Sequence, residues 1–179
     1  MPARPRRVEL KLLVLRHAKS EPNRPGARDL DRTLNSRGRR DAQAVGRALL
    51  ERDLVPALAL CSPALRTRQT LSEAAAAWSG KCEQRPVEEM YEAQPAELVG
   101  VVRRYGGARS PLLLVGHNPG LQRFALALAA DAAAGAAEAV AADFPTAALA
   151  VLDVQAEQWD DLAAHSARLE ACVLPSELV

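Results

Sequence analysis

The sequence predicts an α/β fold of three layers, in which a mostly parallel sheet lies between two layers of helices. Short apolar runs recur along the chain, and most are separated by segments of helix length, which is typical of such a sheet. The last two runs have only a short connection between them, so one of them is predicted to be an antiparallel edge strand. The predicted strands are residues 10–15, 58–61, 112–115, 147–154 and 169–174.

The predicted helices between these strands begin at recognisable start signals. A polar side chain can accept a hydrogen bond from the first turn, and proline is favoured at the first helical position. Apolar residues at helical spacing then continue each segment. The signals are Asn35 for residues 36–52, Ser62 with Pro63 for residues 64–78, Pro95, and Asn118 with Pro119.

The Ala-rich segment 124–142 is almost entirely apolar, yet it is not predicted to span a membrane. Asp131, Gly135 and Glu138 interrupt it, and alanine is only weakly hydrophobic, so insertion would be costly. We expect two helical pieces joined near Gly135.

Charge and cysteine content limit the partners and the compartment. Lys and Arg number 23 against 22 Asp and Glu, so neither a nucleic acid nor an anionic membrane is expected as a partner. The three cysteines show no metal-ligand spacing and cannot all pair within one chain, which favours a reducing cytoplasm. Residues 1–7 lack the apolar stretch of a secretory signal, so we expect a disordered basic tail and one domain over residues 8–179.

Chemically capable side chains stand at three junctions that follow apolar strands. Arg16 and His17 end the first run, Arg66 lies about one turn into the helix after the second, and His117 follows the run at 112–115. Ligands bind at the carboxyl ends of strands in open α/β sheets. Helix amino ends and guanidinium groups hold phosphate oxygens, and an imidazole can attack phosphorus. Singly, each residue is typical of a structural or solvated position, but as a set they predict a phosphate site.

A cysteine phosphatase is the rival mechanism that the sequence disfavours. Such enzymes cradle phosphate in a loop with five residues between Cys and Arg, and Cys61 and Arg66 are one residue too close. Pro63 and Ala64 between them supply no glycine-rich nest. Cys61 is predicted to be the buried last residue of a strand.

These motifs together resemble the histidine phosphatase superfamily, also called the phosphoglycerate mutase-like family. Its Arg-His-Gly signature appears as Arg16-His17-Ala18, and its Leu-Thr-x-x-Gly turn appears at residues 34–38. Its Ser-Pro-x-x-Arg-x-x-Gln-Thr block is intact at residues 62–70, and its second-histidine motif begins at Gly116. The resemblance covers nearly the whole chain and is closest to the SixA-type phosphohistidine phosphatase branch. It implies a phosphoglycerate mutase-like fold.

The resemblance also implies roles for the residues at the three junctions. His17 is the nucleophile, which becomes transiently phosphorylated on a ring nitrogen. Arg16, Arg66 and His117 form the pocket that clamps the phosphoryl group. In the family, the carbonyl just after the nucleophile fixes its tautomer, and Ala18 keeps that carbonyl provided that its backbone avoids positive φ.

Further site residues are implied by weaker matches. Ser20 and Asn23 stand at offsets where family members carry residues that touch phosphate, although both also fit an ordinary loop. Arg32 adds positive charge at the pocket rim or is a solvated loop residue. Glu92 is the candidate general acid, with Glu89 as the alternative.

The implied activity is hydrolysis of phosphoryl groups through a phosphohistidine intermediate, without a metal or an organic cofactor. The implied substrate is phosphohistidine on a protein, such as a phosphotransfer protein. One alternative is a broad-specificity or small-molecule phosphomonoesterase. Another, from a different class, is a non-catalytic phosphate-binding module.

Overall fold

A computed structural model of the protein describes residues 9–178, in which helices flank one sheet on both faces. The tail predicted for residues 1–7 lies outside the described residues. The strands are β1 (Leu10–Arg16), β2 (Leu58–Cys61), β3 (Glu83–Pro86), β4 (Leu112–Gly116), β5 (Ala129–Ala132), β6 (Leu149–Val154) and β7 (Ala167–Val173). The α-helices are α1 (Ser36–Glu51), α2 (Leu65–Ala75), α3 (Pro95–Tyr105), α4 (Gly120–Leu128) and α5 (Ala136–Ala142).

The sheet has seven strands in the order β3-β2-β4-β1-β6-β7-β5, and all but one run parallel. The mostly parallel sheet is therefore confirmed. The exception is β6, which is antiparallel to both β1 and β7. It lies inside the sheet, so the prediction that the antiparallel strand forms an edge is wrong. The short connection does join two neighbouring antiparallel strands, but β5 pairs with the far side of β7 and takes the edge position.

Side chains of β1 alternate between the two layers of helices and so divide the core. Leu12 and Val14 pack in the cluster with α3, α4 and α5, whereas Leu13 and Leu15 pack in the cluster with α1 and α2. All four are fully buried. This period-two alternation places both faces of the strand in apolar surroundings, which is why residues 12–15 are all hydrophobic. The predicted three-layer arrangement is confirmed.

The helix starts agree with the sequence in part. Asn35 caps α1, since its side chain accepts a hydrogen bond from the backbone N–H of Gly38 at 2.9 Å. Pro95 opens α3 as predicted. However, α2 begins at Leu65 and α4 at Gly120, and neither is capped by a side chain. Ser62 instead pairs with His117 at the candidate site, and Asn118 lines that site, as described below.

Two strands, β3 and β5, were not predicted from the sequence, for different physical reasons. All four residues of β3 are exposed and three of them are polar, so it carries no hydrophobic pattern; among the described strands it pairs only with β2. β5 lies within the Ala-rich segment, where the two predicted helical pieces are found as α4 and α5. Gly135 sits at the amino end of α5 with φ of 79°, a left-handed conformation that glycine adopts without strain. No helix in residues 9–178 has the length and apolar character needed to cross a bilayer.

Two helical glycines should respond oppositely to substitution by alanine. A Cβ atom at Gly46 of α1 would meet the Ala74 carbonyl oxygen of α2 at 2.1 Å, whereas a Cβ at Gly100 of α3 would meet nothing within 4 Å. We therefore predict that Gly46→Ala destabilises the fold by about 1–3 kcal/mol through overpacking. Gly100→Ala should stabilise it by roughly 0.5–1 kcal/mol, the difference in helix propensity.

Urea unfolding of the two variants beside the parent protein measures both effects. Equal stabilisation by the two substitutions would contradict the close packing of α1 on α2.

Candidate active site

The candidate site lies where three neighbouring parallel strands, β2, β4 and β1, reach their carboxyl ends. Arg16 of β1 pairs in register with Gly116 of β4, so the residues that follow them come side by side. The backbone N–H of His17 donates to the Gly116 carbonyl at 3.0 Å. The ring centroids of His17 and His117 are 5.4 Å apart. The predicted convergence of the two histidines is therefore found in the structure.

These residues line a cleft of about 480 Å³. His17 and Arg66 are buried at 9% and 5% exposure, whereas Glu92 and Pro119 are exposed. The charged guanidinium of Arg66 and the His17 ring thus lie deep in the cleft, and the exposed residues form a rim open to solvent. The lining residues are Arg16, His17, Arg32, Arg66, Glu92, Ala93, Gln94, His117, Asn118, Pro119 and Gly120.

Hydrogen bonding determines which nitrogen of His17 carries the proton. Its Nδ1–H donates to the Ala18 carbonyl at 2.8 Å, because a carbonyl oxygen can only accept. The Ala18 backbone N–H in turn donates to Thr70 Oγ1 of α2 at 2.9 Å, which helps to hold the Ala18 backbone in place. Ala18 does not have positive φ, so replacing the family's glycine introduces no backbone strain here. The lone pair of neutral His17 is therefore on Nε2.

The surroundings of His17 keep its imidazole neutral. Burial lowers its pKa to about 4; the hydrogen bond to Ala18 opposes this, and the nearby Arg66, Arg16 and Arg32 add to the lowering. A neutral ring has a free lone pair near neutral pH, which a nucleophile at phosphorus requires.

His117 is also neutral, in the other tautomer. Arg66 can only donate, so the 3.3 Å contact from its Nη2 places a lone pair on Nδ1 of His117. The proton is then on Nε2, which donates to Ser62 Oγ at 2.7 Å. Burial, followed by the charge of Arg66, lowers the pKa of His117 to about 3. Ser62, predicted as a helix cap, instead orients the second histidine.

The two arginines at the site each keep one buried donor unpaired. Arg16 Nη1 donates to the Phe144 carbonyl at 2.9 Å. Arg66 donates through Nη1 to the backbone carbonyl of Asp29 at 2.7 Å and through Nη2 to its carboxylate at 2.8 Å. The Nε atoms of both arginines are buried without a hydrogen-bond partner in the described part of the chain. Both arginines line the cleft, where a guanidinium group can hold an oxyanion through charge-assisted hydrogen bonds.

Arg32 and Ser20 contact each other beside the cleft. Arg32 lines the cleft, but its Nη2 donates to Ser20 Oγ at 2.8 Å and its Nε donates to the Glu21 carbonyl at 3.1 Å. Its Nη1 donates to the Asp29 carboxylate at 3.0 Å. Each of the three Arg32 nitrogens therefore already donates one hydrogen bond to the protein, and Ser20 is one of the acceptors rather than a lining residue.

Besides Ser20, two further predicted site residues do not line this cleft. Asn23 is exposed and lines a neighbouring cleft with Arg24 and Arg28, because the loop after Ser20 turns outward to the surface. Glu89 is exposed and accepts a hydrogen bond from Arg104 at 2.9 Å. The structure therefore favours Glu92 over Glu89.

Glu92 lines the cleft in an unusual backbone conformation. Its φ is 55°, in the left-handed region where a residue other than glycine costs about 1–3 kcal/mol. The next residue, Ala93, lies against Gly120 at the start of α4, where a Cβ would meet the Ala93 carbonyl at 2.1 Å. This close packing holds the strained turn and places Glu92 at the rim.

No sequence pattern indicated a role for Asp29 or Tyr91. Asp29 contacts Arg66, and Tyr91 contacts His117. Tyr91 donates to the Asp29 carboxylate at 2.9 Å, and its ring stands edge-on to His117 at 5.5 Å between centroids. Asp29 stands three residues before Arg32, and no local pattern distinguishes it from the nearby Asp31.

A cysteine nucleophile and a metal site are less well supported by the described residues. Burial raises the pKa of Cys61 to about 12, so its thiol stays protonated near neutral pH and is a poor nucleophile. Cys61 lines a different cleft, between α2 and β3. Within residues 9–178, no three His, Cys, Asp or Glu side chains converge in a way that could hold a metal ion.

Comparison with known proteins identifies related sequences and structures. Residues 12–101 match the profile of the Histidine phosphatase superfamily (branch 1). An uncharacterized protein of Mycobacterium tuberculosis is 37% identical over 166 residues, which cover 90% of this chain and 99% of the relative.

Two similar solved structures are assigned as phosphohistidine phosphatase SixA. The protein from Agrobacterium tumefaciens is 30% identical, with a TM-score of 0.75 over 92% of this chain and 97% of its own. The protein from Nakamurella multipartitia is also 30% identical, with a TM-score of 0.78 over 92% of this chain and 95% of its own. Family profile and structural similarity thus agree.

The protonation states of the two histidines can be tested directly by NMR. We predict that His17 at pH 7 is the Nδ1–H tautomer and His117 the Nε2–H tautomer. As the pH falls, His17 should take up a proton only near pH 4, well below the ordinary histidine value of about 6.5, because burial disfavours the imidazolium.

Long-range ¹H–¹⁵N spectra across a pH series measure this. His165→Gln and His117→Gln variants assign the signals. Titration of His17 near pH 6.5 would contradict the proposed environment.

Proposed function

We propose, since the chain belongs to the histidine phosphatase superfamily and to its SixA-type branch, that it hydrolyses phosphoryl groups through a phosphohistidine intermediate on His17. Membership of the family supports phosphatase activity. The geometry of His17 is the observation that supports attack by this residue on phosphorus. Its Nδ1–H is held by the Ala18 carbonyl, its Nε2 lone pair is free, and it lies in one cleft with Arg16 and Arg66.

In the first step, Nε2 of His17 attacks phosphorus and the bond from phosphorus to the leaving group breaks. The leaving group keeps the electron pair and takes a proton, for which Glu92 is the candidate donor. The Ala18 carbonyl stabilises the positive charge that develops on the ring through Nδ1–H. The guanidinium groups of Arg16 and Arg66, which line the cleft, would bind the equatorial oxygens, where charge is spread in the transition state.

In the second step, water attacks phosphorus and the bond to Nε2 of His17 breaks. The electron pair returns to the ring, which regains its neutral tautomer. Glu92, now a carboxylate, would accept the proton from water. The products are inorganic phosphate and the original enzyme, so the proposal needs neither a metal nor an organic cofactor.

We further propose that the substrate is phosphohistidine on a protein, such as a phosphotransfer protein, and that the enzyme acts in the cytoplasm. The rim formed by exposed residues leaves room for a side chain on a partner protein. A phosphoramidate also needs less help from a general acid, because its leaving imidazole is easily protonated. This suits the position of Glu92 at an open rim, where water can also supply the proton.

His17 should be indispensable. We predict that His17→Asn abolishes turnover of phosphoimidazole and p-nitrophenyl phosphate while the protein stays folded, since the residue lies beyond the strand and outside the apolar clusters. Rapid quenching at alkaline pH, followed by mass spectrometry, should place acid-labile phosphate on His17 of the parent protein. Activity should survive treatment with EDTA.

His165→Asn serves as the matched control and should keep full activity. Near-parental activity of the His17 variant would refute the mechanism, and absence of any phosphoenzyme or turnover would favour a phosphate-binding module.

Glu92 distinguishes the two substrate classes. We predict that Glu92→Gln lowers turnover of phosphomonoesters by about 10²–10⁴, the usual contribution of a general acid. Turnover of a phosphohistidine peptide should fall much less, because the leaving imidazole can be protonated from solvent. The parent protein should prefer that peptide over a panel of sugar phosphates and nucleotides by kcat/KM.

Glu89→Gln is the control and should leave both activities unchanged. A parent protein that prefers a phosphoester would support the small-molecule phosphomonoesterase instead.

A further inference from the structure

Asp29 is an acidic residue that contacts two of the arginines lining a cleft expected to bind an anion. It belongs to a short 3₁₀ turn, Asp29–Asp31, in the loop between β1 and α1. Its carboxylate accepts hydrogen bonds from Arg66, Arg32 and Tyr91 at 2.8, 3.0 and 2.9 Å. One carboxylate therefore joins three separate segments around the cleft.

The contacts to Arg66 fix the plane of its guanidinium group. Asp29 accepts from both Nη atoms, through its backbone carbonyl at 2.7 Å and its carboxylate at 2.8 Å. These contacts hold both Nη atoms of the guanidinium group, whereas Nε has no hydrogen-bond partner among the described residues. Nη2 also reaches Nδ1 of His117 at 3.3 Å, so the orientation of Arg66 is passed on to the second histidine.

Tyr91 extends the same network toward the rim. Its hydroxyl donates to the Asp29 carboxylate, and its ring stands edge-on to His117 with an interplanar angle of 88°. The next residue is Glu92, the candidate general acid. Asp29 thus contacts Arg66 directly, and through Tyr91 it is linked to the second histidine and to the turn that carries Glu92.

The charge of Asp29 complements these contacts. Partial burial acts to raise its pKa, but hydrogen bonds from Arg32, Tyr91 and Arg66 outweigh it and lower the pKa to about 2. The residue is therefore anionic near neutral pH and offsets one of the three guanidinium charges lining the cleft, those of Arg16, Arg32 and Arg66. It also opposes the lowering of the His117 pKa by Arg66.

We propose that Asp29 is the positioning residue of the phosphate clamp: it orients Arg66, and through Arg66 His117, toward the transferring phosphoryl group. The proposal rests on the proposed function, because it assigns how that site is held in its working geometry. Asp29 acts through Arg66 and does not itself touch the substrate.

The decisive measurement is a double-mutant cycle on kcat/KM. Asp29→Asn removes the charge at nearly constant shape, and we expect it to lower kcat/KM by about 10–100-fold through misplacement of the arginine. Asp31→Asn is the matched control in the same turn. Asp31 is exposed, and among the described residues its carboxylate forms an ion pair only with Arg28, at 3.9 Å. We expect Asp31→Asn to change kcat/KM by less than about twofold, as surface pairs contribute little.

The Arg66→Ala background shows whether Asp29 acts through that arginine. If it does, Asp29→Asn should cost less than about threefold in kcat/KM once Arg66 is absent, because the group that it positions is already gone. Asp29→Glu keeps the charge and should restore part of the rate. A purely structural role would give additive losses in the cycle together with lowered thermal stability.

The assays use p-nitrophenyl phosphate and phosphoimidazole with the full chain, and each variant is checked by thermal unfolding. Non-additive losses in folded variants support the proposal. Additive losses, or equal activities of Asp29→Asn and Asp31→Asn, overturn it. A parallel His17→Asn sample separates the two hypotheses. If the His17→Asn variant is active, the proposed function is refuted. If it is inactive while Asp29→Asn keeps the parental rate, only the role of Asp29 is refuted.

Discussion

The parallel pairing of β1 with β4 is the constraint on which the site depends. In this register, Arg16 stands opposite Gly116, and the backbone N–H of His17 continues the ladder by donating to the Gly116 carbonyl. The two histidines come from positions a hundred residues apart in the sequence, yet their rings meet because each follows the last residue of its strand. β2 pairs along the other side of β4 and leads into α2, which supplies Arg66. Sheet topology thus determines which side chains share the cleft.

Within that frame, burial and positive charge act together on the imidazoles. Desolvation disfavours the imidazolium form, and the nearby guanidinium groups repel a further positive charge. Each ring is then restricted to one tautomer by a partner of unambiguous hydrogen-bonding character: a carbonyl that only accepts for His17, and a guanidinium that only donates for His117. The consequence is a neutral nucleophile with its lone pair free inside a cationic cleft. Such an arrangement attracts a phosphoryl group and leaves the attacking nitrogen unprotonated.

The sequence predicted the parts of the site that follow from local patterns at strand ends. Arg16, His17 and His117 directly follow or end continuous apolar runs, so their positions could be derived from sheet geometry. Side-chain contacts across distant loops could not be derived in this way. Ser62 fits the pattern of a helix cap, yet its hydroxyl pairs with His117, and Asp29 gave no local signal for its contact with Arg66. Strands β3 and β5 were missed for a related reason: an exposed polar edge and an Ala-rich segment carry no period-two pattern, so only pairing with a neighbour makes them strands.

The central claim is that Nε2 of His17 forms a bond with phosphorus while Arg16 and Arg66 bind the oxygens. Vanadate adopts the five-coordinate geometry of phosphoryl transfer, so a crystal structure of the protein soaked with vanadate tests this claim most directly. We expect vanadium within bonding distance of Nε2 of His17, with its equatorial oxygens accepting hydrogen bonds from the guanidinium groups of Arg16 and Arg66. Vanadate bound to another side chain, or held in the cleft with Nε2 of His17 directed away from it, would contradict the account.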